Sequence, residues 1–221
     1  MIDFSKFVEF HGLKKWAALL VMFSVLFLPS QVFAEAGVEP RRIVLGSHQP
    51  LSGPMKTYSQ VGRGALIYFQ YLNDQGGIHG RQLVLLQRDD RFQPQRTLEV
   101  VEKLVMKDRV FALFSGIGTD TSESAMPLLK SQGVPHFFIG SNARRFTEPA
   151  RHGIFGLLPT AEVEARVLGE FVGSNHPGEK VILWFRDEPE YKLASKDVSQ
   201  KLQGNLLQFL PSKKGSTQFQ A

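Results

Sequence analysis

The segment Gly118–Glu123 carries the residue types that bind a small anionic group, because glycine, threonine and serine stand where a helix is predicted to begin. Glycine allows close approach of a ligand to the backbone, and the first turn of a helix offers amide donors and a positive dipole end. A carboxylate or a phosphate would be bound by those amides with the hydroxyl of Thr119 or Thr121. The structural alternative is a capping box formed by Asp120 and Glu123, which would use only one or two of the same donors.

Other polar segments offer weaker signals. Tyr58 could project its ring over a crevice, although tyrosines near helix starts often serve packing alone. Ser141 and Asn142 follow an apolar run and could hold a polar head group, with a turn as the ordinary alternative. Asp89 and Asp90 could act as paired carboxylates for a metal or for acid–base chemistry. The arginines on both sides of them favour a solvated or salt-bridged strand end instead.

Enzyme signals are absent from the sequence. It contains no Gly-x-Ser-x-Gly elbow, no His-Glu-x-x-His and no complete Gly-x-Gly-x-x-Gly. The six histidines lack metal-ligand spacing, and His136, in an apolar run, is expected to be a satisfied core residue. The chain has no cysteine, which excludes disulfides, thiol catalysis and thiolate metal sites. We therefore predict no catalytic residue, no metal site and no cofactor.

The elements that must position the polar segments alternate along the chain. Strands are predicted at 42–49, 83–86, 110–114, 136–139, 154–157, 181–185 and 206–210, with 154–157 crossing toward a second lobe. Helices are predicted at about 61–72, after Pro94, and at 121–132, 161–172 and 191–202. This order predicts an α/β fold with parallel sheets flanked by helices. Ligands bind at the carboxyl ends of strands in such sheets, so the chain is predicted to bind a small molecule.

Composition and charge are those of an ordinary globular protein. Hydrophobic residues make up 43% of the 221 residues and charged residues 21%. The formal charge of +5 is dispersed rather than clustered on a recognisable module, so nucleic-acid binding is not indicated.

The N-terminus is predicted to be a secretory signal peptide. Lys14 and Lys15 precede an apolar run over 16–28, and Val32-Phe33-Ala34 supplies a cleavage site after Ala34. The run is shorter than the roughly 20 residues that span a bilayer. An uncleaved membrane anchor is the alternative. The predicted mature protein is periplasmic and has no membrane span.

Several segments together resemble the leucine/isoleucine/valine-binding protein family, the solute receptors of ABC transporters. The matching segments are 51–54, 73–83, 88–90, 110–121 and 133–142. The most specific is the run Asn73-Asp74-Gln75-Gly76-Gly77-Ile78-His79-Gly80. The resemblance implies a two-lobed type I periplasmic-binding fold.

The resemblance also implies roles for individual residues. Tyr58 would line the cleft, Thr119 would bind a carboxylate together with helix amides, and Tyr191 would come from the opposite lobe. The ammonium would be held by residues of one segment, Gly140, Ser141 and Asn142. With the hydroxyl of Thr121, these seven residues form the predicted ligand-binding set.

Three departures from the family pattern widen the range of ligands. Asn142 replaces the usual small hydroxyl residue, Asp120 adds a negative charge, and Lys192 follows Tyr191 where glycine is frequent. The ligand is therefore expected to be an amino acid, an amide, a urea-like compound or an aromatic acid.

The resemblance implies a first lobe over 35–158 and the start of a second lobe over 159–221, with the second half of the fold missing. The family's acidic residue for the ligand ammonium would lie beyond Ala221. The expected function is solute binding for uptake through a membrane permease. A periplasmic sensing receptor of the same fold and an inactive truncated fragment are the alternatives.

Overall fold

Two parallel sheets organise the chain in the computed structural model, which describes residues 35–202 and 206–212. The first sheet has the order β2-β1-β3-β4-β5, and its strands are Arg42–Gln49 (β1), Gln82–Asp89 (β2), Ala112–Phe114 (β3), His136–Ile139 (β4) and Ile154–Gly156 (β5). The second sheet pairs Val181–Arg186 (β6) with Leu206–Ser212 (β7). The predicted signal peptide and its cleavage after Ala34 lie outside the described residues.

Helices connect the strands, and every strand pair is parallel, so the predicted α/β class is confirmed. The α-helices are Gln60–Asp74 (α1), Pro94–Glu102 (α2), Thr119–Gln132 (α3), Ala161–Asn175 (α4) and Pro189–Lys201 (α5). Short 3-10 turns cover Lys56–Ser59 and Arg144–Phe146, and a π-helical turn, Lys103–Lys107, continues α2. In the part of the chain that is described, no helix combines the length and the apolar character needed to cross a membrane.

The first sheet is packed on both faces because successive residues of a strand point to opposite sides. Val44 of β1 lies in a cluster with Leu104 after α2 and Leu129 of α3. Its neighbour Leu45 lies in a second cluster with Phe69 of α1. Helices therefore cover both faces of this sheet, which explains why its strands are apolar.

The run that is most specific for the family resemblance has a structural role. The side chain of Asn73, near the end of α1, donates to Leu83 O at 2.9 Å and accepts from Leu83 N at 2.8 Å. Gly77 follows with φ at +74°, and a Cβ there would lie 2.1 Å from Arg81 O. This run therefore joins the end of α1 to the start of β2.

Some predicted boundaries were wrong. Helix α3 begins at Thr119 rather than Thr121, because Gly118 takes the cap position with φ at 101°. Strand β3 begins at Ala112 rather than Val110, whose amide donates instead to Leu104 O of the π-helical turn at 3.1 Å. The strand predicted at 154–157 is present over Ile154–Gly156, one residue shorter, as an edge strand parallel to β4.

Candidate functional site

The tips of β3 and β4 remain paired beyond the strands themselves. Ile117 and Gly140 form a parallel bridge. Gly140 N donates to Gly116 O at 2.8 Å, and Gly118 N donates to Gly140 O at 3.2 Å. A Cβ at position 140 would lie 2.7 Å from Ile117 Cδ1, which explains the glycine. This pairing places the start of α3 beside Ser141.

A pair of hydroxyl groups lies where the two tips meet. Thr119 Oγ1 and Ser141 Oγ are 2.7 Å apart, and Ser141 Oγ also accepts from Ala143 N at 3.1 Å. The amides in the first turn of α3 have no carbonyl partner within the helix. The arrangement offers hydroxyl and amide donors to an anionic group.

The two threonines in the first turn of α3 differ in what they contact. Thr121 is buried and donates its hydroxyl to Ile117 O at 2.6 Å, so this hydroxyl stabilises the loop before the helix. The capping-box alternative is wrong, because the cap position is Gly118, which has no side chain to accept a hydrogen bond. Glu123 is instead paired with Arg145 at 3.0 Å.

Asn142 connects the first sheet to the helices that follow it. Its Nδ2 donates to Glu164 Oε2 at 3.0 Å, and its Oδ1 lies 3.5 Å from the hydroxyl of Tyr191. Its backbone oxygen accepts from Ala161 N at 3.0 Å. Asn142 therefore lies beside side chains of both α4 and α5, with Arg186 over the ring of Tyr191 at 5.7 Å.

Arg145 is a residue of this region that the sequence analysis missed. Its guanidinium lies 3.0 Å from Glu123 of α3 and 2.9 Å from Glu190 of α5. The signal available in the sequence was the Arg-Arg pair directly after the polar tip of β4. Arg145 thus joins α3 to α5, the helix that carries Tyr191.

Tyr58 lies near the start of α3 because it stacks on Phe92, another residue that the sequence analysis missed. Its ring is half exposed and stacks on Phe92, with centroids 6.4 Å apart and an interplanar angle of 18°. The Phe92 ring lies so close to Gly118 that a Cβ there would be 2.6 Å from Phe92 Cε2. The structure therefore brings Tyr58 to the start of α3 through Phe92.

A buried polar cluster lies beneath the loop that leads into α3. His48 Nδ1 is 2.8 Å from Asp90 Oδ2, and both side chains are fully buried. Asp90 also accepts from Phe92 N at 2.8 Å and from Thr97 Oγ1 at 3.2 Å. The prediction of a solvated strand end is wrong for Asp90, because the sheet and α2 enclose it. Asp89 fits the prediction of a salt-bridged end, since its carboxylate lies 3.8 Å from Arg91 Nε.

His136 completes this cluster. Its ring lies 5.5 Å from that of His48 in an edge-on arrangement, and it is fully buried. Neither of its ring nitrogens has a hydrogen-bond partner among the described residues, so the prediction of a satisfied core histidine is wrong on that point. Burial, and then the neighbouring His48, lower the pKa of His136 well below the usual value. No three metal-ligating side chains within residues 35–202 and 206–212 lie close enough to hold an ion.

This lowered pKa predicts acid sensitivity of the fold. Below the ordinary histidine pKa of about 6.5, the unfolded chain binds a proton at His136 that the folded chain excludes. The free energy of unfolding should therefore fall by about 1.4 kcal/mol for each unit that the pH drops, until the lowered pKa is reached. Urea unfolding across this range should show this contribution in the native chain and not in His136→Met. His152→Gln, at an exposed histidine, should keep it. Equal slopes in all three proteins would contradict the prediction.

The family model and the related sequences that match this chain all describe binding proteins. The family model described as "Periplasmic binding protein" matches residues 42–216. The Leu/Ile/Val-binding protein homolog 7 of Brucella abortus is 26% identical over 141 residues, which are 62% of this chain and 35% of the relative. The leucine-, isoleucine-, valine-, threonine- and alanine-binding protein of Pseudomonas aeruginosa is 24% identical over 160 residues, covering 72% and 42%.

Solved structures have the same fold. The substrate-binding protein LivJ from Streptococcus pneumoniae, in complex with isoleucine, has a TM-score of 0.70 at 19% identity, covering 81% of this chain and 52% of that one. A solute-binding protein from Rhodopseudomonas palustris, in complex with 3,4-dihydroxybenzoic acid, has a TM-score of 0.64 at 17% identity, with coverage of 77% and 47%. The chain spans about half the length of these proteins, and less than half of the two relatives.

Proposed function

The chain belongs to the periplasmic binding protein family, and from that premise we propose that it binds an amino acid or a related carboxylate as the exported solute receptor of an ABC transporter. It has the type I periplasmic-binding fold of the LivJ-like structures. The named relatives are binding proteins, so the role is one of recognition and not of catalysis.

The observation that carries the proposal is the hydroxyl pair of Thr119 and Ser141, 2.7 Å apart at the start of α3. Amides and hydroxyls at the start of one helix are suited to a carboxylate, which accepts several hydrogen bonds and is stabilised by the helix dipole. The LivJ complex holds isoleucine and the Rhodopseudomonas complex holds 3,4-dihydroxybenzoic acid. A carboxylate is the group that these two ligands share.

The remainder of the ligand would extend toward Asn142 and Tyr191. Their polar atoms are 3.5 Å apart, and Glu164 lies within hydrogen-bond distance of Asn142. An amide oxygen, a phenol and a carboxylate together suit an ammonium or an amide group. Tyr58, on its stack with Phe92, would cover the apolar part of the ligand.

In the proposed mechanism, residues 35–158 belong to one lobe and residues from 159 onward to the other. Ligand binding closes the lobes by a hinge motion, and the closed form docks on a membrane permease. The bonds from Asn142 to α4 and α5, and the Arg145 pairs, support this view because they join the two groups of elements.

Binding is tested by titrating the protein with L-leucine, L-isoleucine and 3,4-dihydroxybenzoate and following the melting temperature. A ligand at a hundred times its dissociation constant should stabilise the protein by about 2.7 kcal/mol. Thr119→Ala and Asn142→Ala should each weaken that binding by about tenfold to a hundredfold, because each removes a hydrogen bond to a charged group.

Ser131→Ala is the matched control for the hydroxyl variant. Ser131 lies at the opposite end of α3, where its hydroxyl donates to Leu128 O. Its removal should leave the affinity unchanged. The absence of stabilisation by any of the three compounds would refute the proposed ligand class, and full affinity in Thr119→Ala would refute the assignment of that residue.

A further inference from the structure

We propose that His48 and His136 are positioning residues for ligand binding, whose imidazoles hold the Gly116–Thr119 loop in the arrangement that the ligand requires. The proposal rests on the proposed function, because this loop presents the hydroxyl and the amides of the candidate site. Both histidines lie beneath the loop and neither belongs to the predicted ligand-binding set.

The two imidazoles meet at the backbone of Gly116. A Cβ built on this residue would lie 2.2 Å from His48 Nε2 and 2.6 Å from His136 Nε2. These distances show that both rings pack against Gly116, so the loop has no room to move inward. The outward side is held by the Gly140 amide, which donates to Gly116 O at 2.8 Å. The position of Gly116 is therefore determined from both sides.

The orientation of His48 is set by its other nitrogen. Asp90 lies 2.8 Å from Nδ1 and is itself fixed by Phe92 N and Thr97 Oγ1. A carboxylate oxygen accepts, so Nδ1 carries the proton and Nε2 faces Gly116 without one when the ring is neutral. On the side of α3, Ser122 Oγ lies 3.5 Å from Nε2.

Packing alone does not account for His136. A fully buried polar atom without a partner costs roughly 1–3 kcal/mol, and both ring nitrogens of His136 lack one among the described residues. An apolar side chain of similar size would fill the same space in β4 without that cost. The presence of an imidazole at this position is therefore explained by its ability to bind a proton and not by its volume alone.

Protonation of His136 would introduce a buried cation that faces another imidazole. Asp90 is the carboxylate that the structure places against the pair, and its two oxygens already serve His48, Phe92 and Thr97. Gly116 lies against both rings and the Ser122 hydroxyl lies 3.5 Å from His48 Nε2, and neither residue titrates. A proton on His136 can therefore be accommodated only if the loop moves away and water reaches the ring.

Movement of the loop would break the Gly116–Gly140 pairing and separate Thr119 from Ser141, so the protonated state should not hold the ligand. The test measures the affinity for L-leucine by calorimetry from about pH 7 to about pH 4, a range that extends well below the ordinary histidine pKa of about 6.5. Because the folded chain excludes the proton until the lowered pKa of His136 is reached, the native chain should lose up to about tenfold in affinity for each pH unit below that pKa. His136→Met, which cannot titrate, should lose this pH dependence, and His152→Gln should retain it.

An equal slope in the native chain and in His136→Met would overturn the proposal, and so would a flat affinity profile in the native chain. A second readout does not need a ligand. The amide NMR signals of Gly116, Gly118 and Thr119 should shift together as the pH falls, and this shift should be absent in His136→Met. If L-leucine binds at no pH but the signals shift, the choice of ligand fails and the positioning role stands. If the signals do not shift, the positioning role is wrong.

Discussion

Replacement of Asp90 by alanine is expected to lower the free energy of unfolding by about 3–5 kcal/mol. The side chain is fully buried and accepts from His48 Nδ1, Phe92 N and Thr97 Oγ1. Without the carboxylate, the first two donors are left in a site that excludes water. Thr97 retains a second acceptor in Gln93 O at 3.0 Å. Urea unfolding at neutral pH measures the loss.

Asp89→Ala is the matched control, since it removes the same group one residue away. Asp89 is bonded to Ser52 and to the Arg91 amide, and its side chain is 25% exposed. Water can replace those bonds, so its loss should cost only about 1 kcal/mol. Equal losses in the two variants would show that burial of the Asp90 cluster contributes nothing to stability.

Replacement of Gly118 by alanine should cost about 3–4 kcal/mol and also weaken ligand binding. Gly118 has φ at 101° and ψ at 152°, a region that is essentially restricted to glycine and that costs about 1–3 kcal/mol for other residues. The new Cβ would also lie 2.5 Å from Thr121 Oγ1 and 2.6 Å from the Phe92 ring. Relief of both contacts must displace the first turn of α3, which carries Thr119.

Gly133→Ala separates backbone strain from crowding at the other end of the same helix. Gly133 also has a positive φ, of 66°, but no atom lies within 4 Å of a Cβ built there. It should cost about 1–2 kcal/mol and leave the affinity for L-leucine unchanged. Urea unfolding and calorimetric titration of the two variants provide the comparison. If Gly133→Ala weakens binding as much as Gly118→Ala, then crowding at Phe92 and Thr121 is not the cause.

The sequence predicted the parts of the fold that depend on neighbouring residues. Alternation of apolar runs with glycine-rich stops indicated α/β architecture, and the polar tips of β3 and β4 indicated Thr119 and Ser141. The structure brings those two hydroxyls together. The seven ligand-binding residues and the division into lobes at about residue 158 stay predictions, which the titrations above address in part.

Other features could not be read from local pattern. An aspartate between arginines ordinarily lies at the surface, yet Asp90 is buried because the parallel register of β1 and β2 brings it beside His48, 42 residues earlier. Phe92 and Arg145 likewise acquire their roles from partners on other elements.

The sequence by itself determined the order of strands and helices and the chemical character of the strand tips, because periodicity and turn residues act over a few neighbouring positions. Only the tertiary structure decided which tips meet and which polar groups lose contact with water. Strand order places β1, β3 and β4 side by side, and this adjacency brings His48, Gly116 and His136 into one buried group. Burial and pairing depend on adjacent strands rather than adjacent residues, so the residues beneath the site emerge only when the sheet is assembled.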